Sequence, residues 1–247
     1  MIDEEIDLNE KIVDCKDEEV IKEKKLEDRK EMKTIEFTTL KNLNKEAFIT
    51  IEFKIDKKLK RGMGFFCKIP DPINDNKKIK LLMTCYHVVN EFFENKNIVT
   101  ISYKYGEGKT GLLNLKNREN CKNKKLDYAC FQILEEDNIH DFLDIDENLI
   151  LNDCPSQYLQ KKVINIIYRT EISNGTIESV DDGNIYYNCD TDKGWSGSPI
   201  SNKDNNLIIG IHQEYHRDKN LNKGLLIKSI FLDMRKQNIY FKEDNQE

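Results

Sequence analysis

No apolar run in this chain approaches the ~20 residues that a transmembrane helix requires. The opening Met1-Ile2-Asp3-Glu4-Glu5 has neither the positive end nor the apolar stretch of a secretory signal. There is no excess of positive charge: 39 basic residues against 45 acidic ones leave a net charge of −6. That balance excludes a general nucleic-acid binder, which needs a positive face for phosphates. The one cationic run, Lys57 to Arg61, reads as a solvated loop. Seven cysteines, at 15, 67, 85, 121, 130, 154 and 189, include no Cys-x-x-Cys pair. No disulfide framework or zinc cluster is therefore legible, and Cys85 and Cys130 sit inside apolar runs as small hydrophobes. No repeat recurs at a solenoid period. These absences together lead to the expectation of a soluble, cytoplasmic protein with neither nucleic-acid nor membrane partners.

What is present is a charged leader followed by many short strands. Residues 1–35 are mostly Asp, Glu and Lys with isolated Ile, Val and Leu, and form an N-terminal extension expected to be helical or disordered. It is also a candidate arm for a regulatory partner. From there on, β-type runs follow one another: 47–55, 64–69, 79–85, 98–103, 128–134, 163–168, 175–180, 184–187 and 207–212. Asn, Asp, Gly and Lys turns separate them, the pattern of an all-β sandwich or barrel. Apolar residues at 226, 227, 230, 231 and 234 have helical spacing and predict a C-terminal helix.

The chemistry concentrates in Gly194-Trp195-Ser196-Gly197-Ser198-Pro199, a serine in a glycine-flanked turn. A serine hydroxyl is a poor nucleophile near neutral pH and needs a histidine base and a carboxylate to orient that base. Both occur upstream in apolar runs expected to be strands: His87 within 81–89 and Asp127 within 126–133. A Gly-x-Ser-Gly loop alone is usually a hairpin turn. Joined to His87 and Asp127 in that order, it reads as acyl-transfer machinery placed in a cleft between two halves of the chain.

At these residues the sequence resembles the chymotrypsin-fold (trypsin-like) serine peptidases, whose order is His, Asp, Ser. Thr84-Cys85-Tyr86-His87 is similar to their Thr-Ala-x-His block, Asp127-Tyr128-Ala129 to their Asp-x-Ala block, and Gly194-x-Ser196-Gly197-x-Pro199 to their nucleophile loop. The glutamyl endopeptidase branch is the most similar, through 194–200, 207–212 and 227–239, and the likeness spans about 40–240. It implies two antiparallel six-stranded β-barrels, one over 36–145 carrying His87 and Asp127, the other over 146–247 carrying Ser196 and the C-terminal helix. It implies a serine endopeptidase acting on protein or peptide substrates and needing no cofactor. His87 would be the general base, Asp127 its orienting partner and Ser196 the nucleophile, with the N–H groups of Gly194 and Ser196 forming the oxyanion hole. Thr191 and His212 would bind the substrate side chain and favour cleavage after Glu, or after Gln.

The sequence departs from that pattern at Trp195, which stands where the family has a smaller or polar residue, and at Glu214, which would repel an acidic side chain if it faced the pocket. Two rivals follow: a catalytically silent, peptidase-like scaffold that binds protein partners, and a latent protease held off by residues 1–35. His212, Glu214 and His216 alternate along a predicted strand, but without a further block of ligands no metal is expected there.

Overall fold

The computed structural model describes residues 45–55, 58–74, 76–94, 100–106, 108–115, 118–151, 155–159, 162–168 and 171–241. The expected extension over 1–35, Cys15 and Cys154 lie outside them. The chain is all-β with a short C-terminal helix, as expected. Eight strands form the first sheet: β1 (Phe48–Ile55), β2 (Lys58–Pro70), β3 (Lys78–Thr84), β4 (Thr100–Tyr105), β5 (Lys109–Asn114), β6 (Asn120–Asn123), β7 (Tyr128–Gln132) and β8 (Leu143–Asp144). Six more close into a barrel: β9 (Val163–Tyr168), β10 (Glu171–Asp181), β11 (Asn184–Tyr187), β12 (Pro199–Asn202), β13 (Ile208–His216) and β14 (Leu221–Leu226). The helices are α1 (Tyr86–Glu94), α2 (Glu147–Leu151), α3 (Pro155–Leu159) and α4 (Ile227–Gln237).

The strands form where β-branched and aromatic side chains alternate or run together, and one contiguous apolar core lies beneath both halves. Barrel closure follows the order β10-β11-β14-β13-β12-β9, so that half has no free edge. In the first half the strand path runs β5-β4-β1-β2-β3-β7-β6, with β8 parallel on β2, and no ladder among the described residues joins its ends. A side chain spans that gap instead. Arg118 donates from Nε to the Asn114 carbonyl ending β5 (2.9 Å) and from Nη1 to the Gln132 carbonyl ending β7 (2.5 Å). Its guanidinium also forks onto Asp137, at 2.6 and 2.8 Å.

Two expected strand placements are corrected. The run 81–89 does not stay extended: β3 ends at Thr84 and α1 begins at Tyr86, so His87 sits on a first helical turn. The cause is legible in hindsight, because Cys85, Val88, Val89, Phe92 and Phe93 recur at helical spacing and turn one face inward. Asp127 is not in a strand either. It ends a turn over 124–127, in the left-handed region at φ 57°, just before β7. The C-terminal helix buries Ile227, Ile230, Phe231 and Met234 along one stripe. Asp233 on that helix accepts hydrogen bonds from Tyr128 Oη (2.6 Å) and Asn123 Nδ2 (3.0 Å), tying α4 to β7 and β6.

Arg118 and Asp137 have side chains only 4% and 10% exposed, so removing one partner leaves the other as a buried charge without its counter-ion. Arg118→Ala should lower stability by about 3–5 kcal/mol in urea unfolding. A loss below about 1 kcal/mol, the range of a surface ion pair, would contradict this role.

Candidate active site

The site is assembled from three segments. The first is the end of β3, where Thr84 Oγ1 donates to the Met63 carbonyl on β2 at 2.6 Å and fixes the direction in which α1 leaves the sheet. Cys85 is fully buried, whereas the His87 side chain is 49% exposed. The second is the turn carrying Asp127. Asn123 Oδ1 accepts the N–H groups of Lys125 and Leu126, both at 3.0 Å, an Asx turn that presents Asp127 to α1. The Asp127 carboxylate grips His87 twice: Oδ1 accepts its backbone N–H at 3.0 Å, and Oδ2 lies 2.8 Å from ring Nδ1. A carboxylate acceptor there puts the ring proton on Nδ1 and leaves Nε2 as the acceptor.

The third segment is the turn bearing Ser196, bracketed by Gly194 at φ 93° and Gly197 at φ 90°. Side chains rarely adopt such angles, and glycine does so at little cost. Gly197 N–H donates to the His212 carbonyl (2.9 Å), His212 N–H to the Ser198 carbonyl (2.8 Å) and Met63 N–H to the Ser196 carbonyl (2.8 Å). The loop is thus pinned to β13 on one side and β2 on the other. No hydrogen bond within the described residues takes up the N–H of Gly194 or of Ser196. Trp195 is buried in the core.

The structure brings His87 and Asp127 into direct contact. Ser196 makes no hydrogen bond to either of them: its Oγ donates to the Gln213 carbonyl at 2.9 Å. Gln213, which sequence reasoning missed, occupies a bulge on β13 between His212 and Glu214, so its carbonyl has no ladder partner. Its buried side chain reaches back to the turn before β7, donating from Nε2 to the carbonyls of Leu126 (2.7 Å) and Asp127 (3.4 Å). One residue therefore touches both the carboxylate-bearing turn and the serine.

The bulge also breaks the alternation expected at 212, 214 and 216. His212 is buried, while Glu214 is exposed beside Lys223 at 3.7 Å, and His216 packs edge-on against Tyr186. These three do not share a face. Burial first, and the charge of His87 second, push the His212 imidazole down to about 3. Its Nδ1 lies 2.5 Å from Tyr187 Oη, and burial raises that phenol well above its ordinary range, so Tyr187 donates. His212 is thereby a neutral ring with its proton on Nε2. Thr191 donates to Asn222 Oδ1 at 2.6 Å, Asn222 donates to the Cys189 carbonyl, and Asn222 pairs with Tyr187 across β14 and β11. Tyr187 and Asn222 thus connect the two substrate-binding candidates, Thr191 and His212, which make no hydrogen bond to each other.

No protein-family model matches the chain, and no curated protein is similar to it in sequence. Its fold is shared with solved proteases. Catalytically active tobacco etch virus protease complexed with product aligns at TM-score 0.52 and 11% identity, covering 81% of each chain. A serine endoprotease from Yersinia pestis aligns at TM-score 0.57 and 14% identity, over 82% of this chain and 66% of that one. An M. tuberculosis protease in its active form gives TM-score 0.54 and 12% identity, over 84% and 85%. The chain therefore has the fold of chymotrypsin-like proteases.

The neutral state of His212 has a consequence for stability. Between about pH 6.5 and about pH 3 the unfolded chain binds a proton at this ring and the folded one does not. Stability should therefore fall on acidification, at up to about 1.4 kcal/mol per pH unit within that window. Urea unfolding of wild type and His212→Gln from pH 7 to pH 5 measures the difference, and identical pH slopes would refute it.

Proposed function

We propose that this chain is a serine endopeptidase in which Ser196 is the nucleophile, His87 the general base and Asp127 the residue that orients it. The observation that carries this reading is the double grip of Asp127 on His87, which leaves Nε2 as a proton acceptor, while Met63 ties the glycine-bracketed serine turn to Thr84 at the end of β3. In the reaction, the Ser196 hydroxyl leaves the Gln213 carbonyl by rotation about its Cα–Cβ bond and passes its proton to His87 Nε2 as oxygen attacks the peptide carbonyl. The developing oxyanion meets the N–H groups of Gly194 and Ser196, each such donor contributing about 3 kcal/mol. His87 then returns the proton to the leaving amine, and water hydrolyses the acyl-enzyme by the same steps in reverse. A substrate N–H arriving at the Gln213 carbonyl would itself displace the serine hydroxyl toward the base.

The glutamate preference implied by the resemblance is revised toward glutamine. A neutral His212 offers one Nε2–H donor, which suits an amide oxygen, and a carboxylate buried there would lack a compensating charge. The parked Ser196 hydroxyl favours a second reading, a peptidase-like scaffold that binds partners without cutting.

Fluorophosphonate labelling of the full chain separates the two, since only a serine activated by a base acylates. Covalent labelling that Ser196→Ala removes, together with a fall in peptide turnover of roughly 10⁶-fold in that variant, is the expected result. A wild-type chain that neither labels nor cleaves, as the full chain and when begun near Thr34, would favour the scaffold over the peptidase. For specificity, paired peptides differing only in the residue before the cut should favour Gln over Glu by about tenfold or more in kcat/KM. Equal or reversed values would overturn the role given to His212.

A further inference from the structure

Where α1 begins, three different ligand atoms converge. Cys85 Sγ, His87 Nδ1 and an Asp127 carboxylate oxygen all lie within 4.8 Å of one another, the one such group of three or more His, Cys, Asp or Glu among the described residues. We propose that these three residues form a binding site for a thiophilic divalent cation, Zn²⁺ in the first instance, and that its occupancy disables His87 as a base. The binding stands by itself; the loss of base function rests on the peptidase reading above.

The donor set of one thiolate, one imidazole and one carboxylate suits Zn²⁺ and not Mg²⁺ or Ca²⁺, which take oxygen ligands. Around a tetrahedral zinc with bonds of about 2.0–2.3 Å, neighbouring ligand atoms stand about 3.4–3.6 Å apart. His87 Nδ1 and Asp127 Oδ2, at 2.8 Å, would open by less than about an ångström, and Sγ would close in. One ligand stays anchored through the change, and another gives up its hydrogen bond at little cost. Asp127 keeps Oδ1 on the His87 backbone N–H when Oδ2 turns to the ion. Cys85 Sγ donates to the His212 carbonyl at 3.2 Å, an oxygen that also accepts the Gly197 N–H at 2.9 Å, so losing the thiol proton orphans no acceptor.

Charge and access also fit. A thiolate and a carboxylate together cancel the two positive charges of the ion, so no net charge is buried. Cys85 closes the inner side, while the half-exposed His87 and the partly exposed Asp127 leave an approach from solvent and a fourth position for water. The protons balance. The Cys85 proton goes to solvent, and the His87 ring gives up its Nδ1 proton and takes one at Nε2, for a net release of one proton per ion. With Nε2 protonated, the ring has no lone pair for the Ser196 proton.

Cobalt(II) makes binding visible without any activity. Titrating the full chain with Co²⁺ should give a near-ultraviolet thiolate-to-cobalt band and the visible bands of four-coordinate cobalt, saturating at one equivalent and displaced by Zn²⁺. Cys85→Ser and Cys85→Ala, run in parallel with circular dichroism to confirm folding, should both lose the thiolate band, and His87→Ala should weaken binding. Zn²⁺ should lower fluorophosphonate labelling of wild type by about 100-fold, the contribution of a general base, and leave Cys85→Ser unaffected. Absence of the thiolate band in folded wild type, or its persistence in either Cys85 variant, would overturn the site. The expected bands in a chain whose metal-free form never labels would support the site and sink the peptidase reading alone.

Discussion

The arrangement depends on how closely two backbones approach at Gly197. A Cβ on that residue would overlap the carbonyl oxygen of Met63, and its φ of 90° is one that side chains rarely adopt. Only glycine lets the serine turn of the barrel lie against β2 of the first sheet. Once there, Met63 serves both sides: its N–H holds the Ser196 carbonyl, and its carbonyl holds the Thr84 hydroxyl, three residues before His87. Each of these bonds contributes about 1 kcal/mol, which is modest as stability. Their larger effect is on position, because the serine turn and the strand end leading to His87 are each fixed to one residue, Met63.

The bulge at Gln213 is the second device, and it works by breaking a rule. In a regular strand 212 and 214 would face the same side; the extra residue instead sends His212 into the barrel and Glu214 out to solvent. The freed carbonyl becomes the acceptor for Ser196, and the Gln213 amide binds the turn that carries Asp127. That turn holds Asp127 at a positive φ, a conformation costing about 1–3 kcal/mol for a residue other than glycine. The Asx turn from Asn123, the Gln213 amide and the two bonds to His87 over-determine it, and so the strained geometry persists.

What could be read from the sequence was the part governed by local chemistry. Alternating β-branched and aromatic residues announced β1, β9 and β11, and the helical spacing after Leu226 announced α4. The glycines around Ser196 marked a turn because their side chains are missing. The apolar run around His87 was harder: Val88-Val89 favours a strand locally, and packing of Phe92 and Phe93 against the core decides for a helix. Gln213, Tyr187 and Asn222 left no comparable signal. They act through backbone carbonyls and cross-strand pairs whose partners lie far away in the chain, so no local pattern encodes them. Arg118 was hidden for the same reason, since a side chain that spans the gap in the strand path of the first half resembles any surface arginine in sequence.

The state of Ser196 follows from this division of labour. Its hydroxyl rests on a carbonyl that the bulge has left without a ladder partner, while His87 and Asp127 are already joined. Leaving that carbonyl costs the serine a single hydrogen bond, about 1 kcal/mol net, and one bond rotation. In the proposed reaction a substrate chain laid along β13 would bring its own N–H to the same oxygen and take over that bond. The carbonyl would then never go unpaired, and the hydroxyl would be released only when a peptide is present to be attacked. Holding the nucleophile on the atom that substrate must claim would couple binding to activation without moving any backbone segment.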